Sequence, residues 1–269
     1  MARALSLRGR WVLVTGASAG FGRELALQLA RDHGANLILV ARRQALLEAL
    51  AAELTASFGV EAVALTCDFS SPGSCEALLD RVTDGRPLAA VVLNAGVTHY
   101  GDALAQSSDA LAAMINTNVT SLAVLANAAA RHFQARQEPG ALLLVSSVGG
   151  FLPLPYQAAY AGTKAFVTQF GLALGVELAP TGISVTVFAA GGMPTELVTG
   201  SGLGRKFKSD QLGMMAVDRA ARIALDAFVK RRALSVPGVV NQALAFASRV
   251  TPRRFLAARA GDIYRPPLD

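Results

Sequence analysis

The stretch Trp11-Val-Leu-Val-Thr15-Gly16-Ala-Ser18-Ala-Gly20-Phe21-Gly22 decides the fold. Trp11 to Thr15 is a short apolar run that stops at a glycine-rich turn, and a helical pattern follows from Arg23 to Arg31. Strand, glycine-rich turn and helix in that order form the context a dinucleotide site requires. The glycines permit a tight turn and close approach of a pyrophosphate, and backbone N–H groups at the helix start face its phosphates. Gly16, Ser18, Gly20, Phe21 and Gly22 are therefore candidate cofactor-binding residues. The spacing is G-x-x-x-G-x-G rather than the usual G-x-G-x-x-G, so a plain glycine-rich connection remains the alternative for this stretch alone.

Working outward, Asn36–Val40 reads as a second strand that ends at Ala41-Arg42-Arg43. An acidic residue about 20 positions past the turn would bind the ribose 2′-hydroxyl of NAD. Ala41 offers no carboxylate, whereas Arg42 and Arg43 offer charge-assisted hydrogen bonds to a 2′-phosphate. NADP(H) is the expected cofactor, the alternative being that both arginines merely open the next solvated helix.

The alternation continues along the chain. The pattern predicts a helix over Gln44–Phe58, a strand over Glu61–Thr66, a helix over Pro72–Asp84 and a strand over Leu88–Leu93. One long helix is expected over Ser107–Arg136, then a strand at Ala141–Val145, a helix at Gln157–Leu178 and a strand at Ile183–Phe188. A helix over Val217–Arg232 and a short strand at Leu234–Val236 follow. Strands alternating with helices mean parallel βαβ units, hence a Rossmann-like, doubly wound, seven-stranded parallel α/β sheet with helices on both faces. No repeat or low-complexity linker interrupts residues 1–269, so a single domain is expected. The strand ends supply further candidates for the cofactor: Asp68 where an adenine ring would lie, and Asn94, Ala95 and Gly96, a small-residue turn that lets the backbone approach.

Composition agrees with that architecture. Hydrophobic residues make up 52% of the 269 and charged residues 16%, which suits a sheet buried on both faces. The opening MARALSLRGR lacks the apolar run of a secretory leader. The apolar stretch near Val119–Ala130 is broken by Thr120, Ser121 and Asn127 and reads as a buried helix rather than a membrane span. Two cysteines, Cys67 and Cys75, suggest no disulfide framework, and a reducing cytoplasm is expected. The formal charge of +6 is spread along the chain, with no helix-turn-helix, zinc or RNA-binding pattern. Neither a nucleic-acid partner nor a metal is therefore expected.

The chemistry concentrates at Tyr160-Ala-Gly-Thr-Lys164. A Tyr and a Lys four residues apart share one helix face, one turn apart. A nearby cation favours the phenolate and lowers the phenol's pKa from about 10, which makes a tuned general acid or base. Taken alone, the same spacing also describes a surface tyrosine beside a solvated lysine. Ser146-Ser147 follows the fifth strand, Ser147 stands thirteen residues before Tyr160, and Asn118 lies within the long helix.

TGASAGFG, NAG, Asn118, the Ser-Ser pair, YAGTK and a glycine-rich turn ending at Thr195 occur in that order between Arg10 and Gly238. In these features the chain resembles the short-chain dehydrogenase/reductase family. The Ala-Arg-Arg strand end and the long C-terminal tail are similar to a branch that includes long-chain 3-ketoacyl and hydroxysteroid reductases. The resemblance implies hydride transfer between a nicotinamide and a carbonyl carbon or secondary alcohol. It assigns proton transfer to Tyr160, carbonyl positioning to Ser147, and ribose binding and depression of the Tyr160 pKa to Lys164. Asn118 is implied to bend its helix and support Lys164 through a water. Gly191, Met193 and Thr195 are implied to border the nicotinamide. One departure stands out: Ala190-Gly191 replaces the family's Pro-Gly, and without the proline that stiffens the turn the loop beyond is expected to be looser. The resemblance also implies a homodimer or homotetramer paired through the two long helices. The other functional reading is a catalytically silent dinucleotide sensor on the same fold, against which the complete Asn118, Ser147, Tyr160 and Lys164 set argues.

Two segments lie outside the motifs. Glu196–Met215 holds four glycines and little periodicity and is expected to be a substrate lid, the alternative being an ordinary surface loop. Residues 239–269 are expected to form a helical tail, with helices at Asn241–Val250 and Arg253–Ala260. Their apolar and basic residues could lie on an anionic membrane surface. Short helices bind membranes weakly, so covering the cleft for a large apolar substrate or a neighbouring subunit is favoured. His99 and Tyr100, after the NAG turn, are expected to be ordinary loop residues.

Overall fold

A computed structural model describes residues 4–75, 78, 81–82, 86–206 and 213–266. Seven parallel strands form one sheet: β1 Trp11–Thr15, β2 Asn36–Ala41, β3 Ala62–Thr66, β4 Leu88–Leu93, β5 Ala141–Ser147, β6 Ser184–Ala190 and β7 Leu234–Ser235. Their order is β3-β2-β1-β4-β5-β6-β7. The order reverses between β1 and β4, and in open α/β sheets ligands bind in the crevice at such a switch point, beyond the strand C-termini.

Successive β1 side chains alternate between two cores, as a pleated strand requires. Val12 and Val14 join one apolar cluster and Leu13 the other. The first face is covered by α1 (Gly20–His33), α2 (Gln44–Phe58) and, from further along the chain, the helix Val217–Val229. The second is covered by α4 (Ser121–Ala135), which continues a long rod begun by α3 (Ser108–Ile115) and a π-helical turn (Asn116–Thr120), and by α5 (Ala158–Leu178). By length and composition alone the span Ser108–Ala135 could cross a membrane. Here Leu122, Leu125, Ala126, Ala129 and Phe133 are sealed in the second core.

The segment expected to be a lid contains helices that its sequence did not announce. Glu196–Gly200 is α6 and Leu203–Lys206 is α7. Helices this short hold too few turns to show a period. Residues 207–212 of that expected lid, residues 76, 77, 79, 80, 83 and 84 of the expected Pro72–Asp84 helix and the last three residues of the tail lie outside the described residues. Past α8 (Val217–Val229) the tail folds as α9 (Val239–Val250) and α10 (Arg253–Tyr264), the latter one turn longer than its periodicity suggests. Cys67 and Cys75 are buried thiols that form no disulfide.

Candidate active site

A cleft of about 610 Å³ opens at the C-terminal edge of the sheet. Every expected site residue except Asn118 lines it: Gly16, Ser18, Gly20, Phe21, Gly22, Arg42, Arg43, Asp68, Asn94, Ala95, Gly96, Ser147, Tyr160, Lys164, Gly191, Met193 and Thr195. Asn118 sits directly beneath. A Cβ on Gly96 would stand 3.4 Å from both Asn118 Oδ1 and Lys164 Nζ.

One half of the cleft fits a dinucleotide. Gly16 holds φ +67°, and a Cβ there would reach within 2.8 Å of Asn94 Nδ2. A Cβ on Gly22 would collide with the Gly16 carbonyl and with Asn94. Asn94 fastens the turn by donating to Thr15 O at 3.0 Å, while Thr15 Oγ1 accepts from the amides of Asn94 and Ala95. Helix α1 begins after Ala19, whose side chain makes no capping hydrogen bond. Its first N–H groups are thus left for an acceptor in the cleft, which is how helix N-termini hold phosphates. At the end of β2, Arg42 and Arg43 are both exposed at the rim. Arg43 donates to Ser18 Oγ at 3.2 Å and to Glu196 Oε2 at 3.0 Å. The Asp68 carboxyl is held below the usual carboxylate range, first by the Ser70 hydroxyl and then by the Ser70 amide, with a smaller contribution from Arg42.

The other half carries the reactive groups. Ser147 is the last residue of β5, which extends past Val145 because Ser146 and Ser147 pair with Ala189 and Ala190 of β6. Ser147 Oγ accepts from Gly149 N at 3.1 Å. Ser146 Oγ donates 2.8 Å to the Lys164 carbonyl, clamping α5 to the sheet beside the reactive turn. Lys164 is 5% exposed, donates 2.9 Å to Val145 O, and lies 5.9 Å from the Tyr160 ring centroid. Asn118 is wholly buried in the π-helical turn. It accepts from Val97 N at 2.8 Å and donates to Val97 O at 2.9 Å and Thr163 Oγ1 at 3.0 Å. The expected bend at this residue is thus a π-bulge, a common device at functional sites.

The titration of the pair differs from expectation. Burial pushes Tyr160 up to about 12, with the hydrogen bond to Ser147 pulling the other way. Burial also pushes Lys164 down to about 8. Loss of solvent disfavours both charged forms, and this outweighs any pull of the ammonium on the phenol. The expected depression of Tyr160 by Lys164 is therefore replaced by an elevation.

The turn after β6 packs against the tail. A Cβ on Gly191 would meet the buried Asn241 side chain of α9 and the Gly213 carbonyl. Met215 N donates 2.9 Å to Gly192 O across the base of the lid. Asn241, Leu244 and Tyr264 of the tail line the cleft, as does Gln157, which donates to Thr98 Oγ1 at 2.9 Å. The sequence pointed to Leu244 and to a tail that covers the cleft; Gln157, Asn241 and Tyr264 were not singled out, because only the fold brings them to the cleft. His99 does not line the cleft, and Tyr100 touches the tail through its hydroxyl.

The short chain dehydrogenase family profile matches residues 10–205. A very-long-chain 3-oxoacyl-CoA reductase of Aspergillus clavatus is 34% identical over 196 residues, covering 70% of this chain and 55% of that protein. The chain thus spans about half the length of the curated relatives it matches. A short-chain dehydrogenase from Sphingobium yanoikuyae, solved in complex with NADPH, superposes with a TM-score of 0.80 at 32% identity over 90% of this chain and 94% of that one. A 7β-hydroxysteroid dehydrogenase gives 0.82 at 26% identity over 95% and 98%. With its profile match, parallel sheet and Ser147–Tyr160–Lys164 cleft, the chain belongs to the short-chain dehydrogenase family, oxidoreductases that use a nicotinamide cofactor.

Proposed function

We propose that the chain is an NADPH-dependent reductase of ketones or aldehydes, able to run in reverse on secondary alcohols, and that its substrate is an apolar or acyl-chain carbonyl. One observation carries this reading. Ser147, Tyr160 and Lys164 share one cleft with the apolar side chains of Leu154, Leu203 and Leu244 and with the rim arginines Arg42 and Arg43; a Cβ on Gly149 would stand 3.0 Å from Leu154, 3.4 Å from Ser147 Oγ and 3.9 Å from the Tyr160 ring. The names of the relatives support it: the Aspergillus clavatus protein is a 3-oxoacyl-CoA reductase, and the Sphingobium structure holds NADPH.

When bound, the nicotinamide supplies a hydride to the carbonyl carbon. Tyr160, protonated throughout the neutral range, donates its proton to the carbonyl oxygen. Ser147 Oγ, fixed at the strand end, hydrogen-bonds the same oxygen and stabilises the negative charge that grows there. Lys164 is cationic below about 8 and offers donors to ribose hydroxyls. Asn118 locks Val97 and Thr163 and so holds the floor beneath Lys164. Arg42 and Arg43 pair with the 2′-phosphate that distinguishes NADPH from NADH.

Fluorescence titration with NADPH and NADH, followed by absorbance assays with a panel of ketones and aldehydes, tests the reading. NADPH is expected to bind about ten-fold or more tightly than NADH, the worth of one charge-assisted contact, and at least one carbonyl should drive its oxidation. Equal affinities would remove the cofactor assignment, and an inert panel would remove the reductase assignment.

A further inference from the structure

The chain has four tyrosines, Tyr100, Tyr156, Tyr160 and Tyr264, and the fold links all of them at the substrate end of the cleft. Tyr160 and Tyr264 line it directly. The Tyr100 hydroxyl donates 2.9 Å to the Tyr264 carbonyl. The Tyr156 carbonyl accepts from Gly101 N at 3.0 Å, next to Tyr100. Tyr156 holds φ +64°, a strained conformation for an aromatic residue. Such strain persists only where the surroundings enforce it, and it clusters at functional sites.

The last helix is seated at two points on this cluster. Tyr100 holds the Tyr264 carbonyl, and a Cβ on Gly261 would rest 3.5 Å from Pro155. Gly261 and Tyr264 are three residues apart and share a helix face. Tyr264 lines the cleft, whereas Phe255 and Ile263 of the same helix are exposed. Tyr160 and Tyr264 line the same cleft, and a charge on Tyr264 would raise the pKa of Tyr160. Apart from Lys164, the charged lining residues are Arg42, Arg43, Asp68 and Glu196, at the ends of β2 and β3 and the start of α6, and the lining also includes the apolar Leu154 and Leu244.

We propose that Tyr264 is a specificity-determining residue: its ring forms the wall across from Tyr160 and selects carbonyl substrates whose larger substituent is apolar and runs beneath the last helix. Tyr100 is a positioning residue that acts through the Tyr264 backbone. The proposal deepens the reductase reading and rests on it.

Methyl ketones that differ only in the larger group isolate this role: butanone, benzylacetone and methyl nonyl ketone. Tyr264→Ala should raise KM for benzylacetone and methyl nonyl ketone about ten-fold or more, the scale at which an apolar pocket contact discriminates. KM and kcat for butanone should stay within about three-fold, and NADPH affinity by fluorescence titration should be unchanged. Tyr264→Phe should keep the discrimination, because the ring remains. Tyr100→Phe should give part of the KM rise without altering NADPH affinity. A uniform change across the three ketones, or weakened NADPH binding in Tyr264→Ala, would overturn the proposal. A wild-type chain inert toward all three would reject the reductase reading instead. Calorimetric binding of benzylacetone then judges Tyr264 by itself: weaker binding in Tyr264→Ala supports the wall, and equal binding overturns it.

Discussion

A phenol pushed up to about 12 beside an ammonium pushed down to about 8 makes an acid that keeps its proton while its neighbour is close to losing its own. The sign of the pH dependence follows. Below about 8 Lys164 is charged and Tyr160 is protonated, and both forms serve reduction. As pH rises through about 8 the lysine loses its charge, while the phenol does not yet ionise. Reductive kcat/KM is expected to be level below about 8 and to fall above it. In Lys164→Met the rate should be lower throughout and this limb should be gone. A profile level well above 8 in the wild type would contradict the burial of the lysine. Ser147, Tyr160 and Lys164 were legible in the sequence because their spacing is local: one helical turn, and one strand end thirteen residues upstream. The direction of the Tyr160 shift was not, because it depends on how much water the finished fold removes. Tyr264 was illegible for a related reason, since no local pattern marks a tail residue that returns to β5.

At the scale of elements, the end of β2 and the start of α6 meet across the rim of the cleft. The Arg43–Glu196 pair is 47% and 66% exposed, and exposed pairs are worth no more than about 1 kcal/mol. A 2′-phosphate with greater charge would displace Glu196 from Arg43 and so couple cofactor arrival to the lid. Arg42→Ala should therefore lose about ten-fold or more in NADPH affinity. Glu196→Gln should bind NADPH equally well or up to about five-fold more tightly, since it removes a competitor of that modest strength. Weaker NADPH binding by Glu196→Gln in a fluorescence titration would show that the pair supports the cofactor rather than competing with it. Gly22→Ala places a methyl group against the Gly16 carbonyl, and loss of measurable NADPH binding is expected. The strands and long helices were legible from apolar runs and periodicity, and β4 and α2 agree with expectation to the residue. The π-helical turn leaves no mark on spacing, though Asn118 hinted at it. The packing of Asn241 against the turn at Gly191 joins segments about fifty residues apart and left no local mark in the sequence.

At the scale of the molecule, the reversal of strand order between β1 and β4 places the glycine-rich turn beside Asn94 and sets the dinucleotide half of the cleft. The resemblance stated from sequence foresaw this sheet because each βαβ unit carries its own apolar pattern. The lid and tail, which shape the substrate half, carry no such repeat. The two long helices also leave Leu111, Ile115, Phe166 and Val176 exposed, Val176 at 77%. Pairing through these faces would cover them, and light scattering at micromolar concentration is expected to report a dimer or tetramer. A monomer would leave that apolar surface without an explanation from assembly. The central claim is that this cleft transfers a proton from Tyr160 to a carbonyl as hydride arrives. Its most direct test is the turnover of Tyr160→Phe on a carbonyl that the wild type reduces, measured alongside NADPH affinity. The account predicts unchanged NADPH binding with kcat lower by about 10² to 10⁴, the usual share of a general acid. Near-normal turnover with intact NADPH binding would take Tyr160 out of the mechanism and contradict the account.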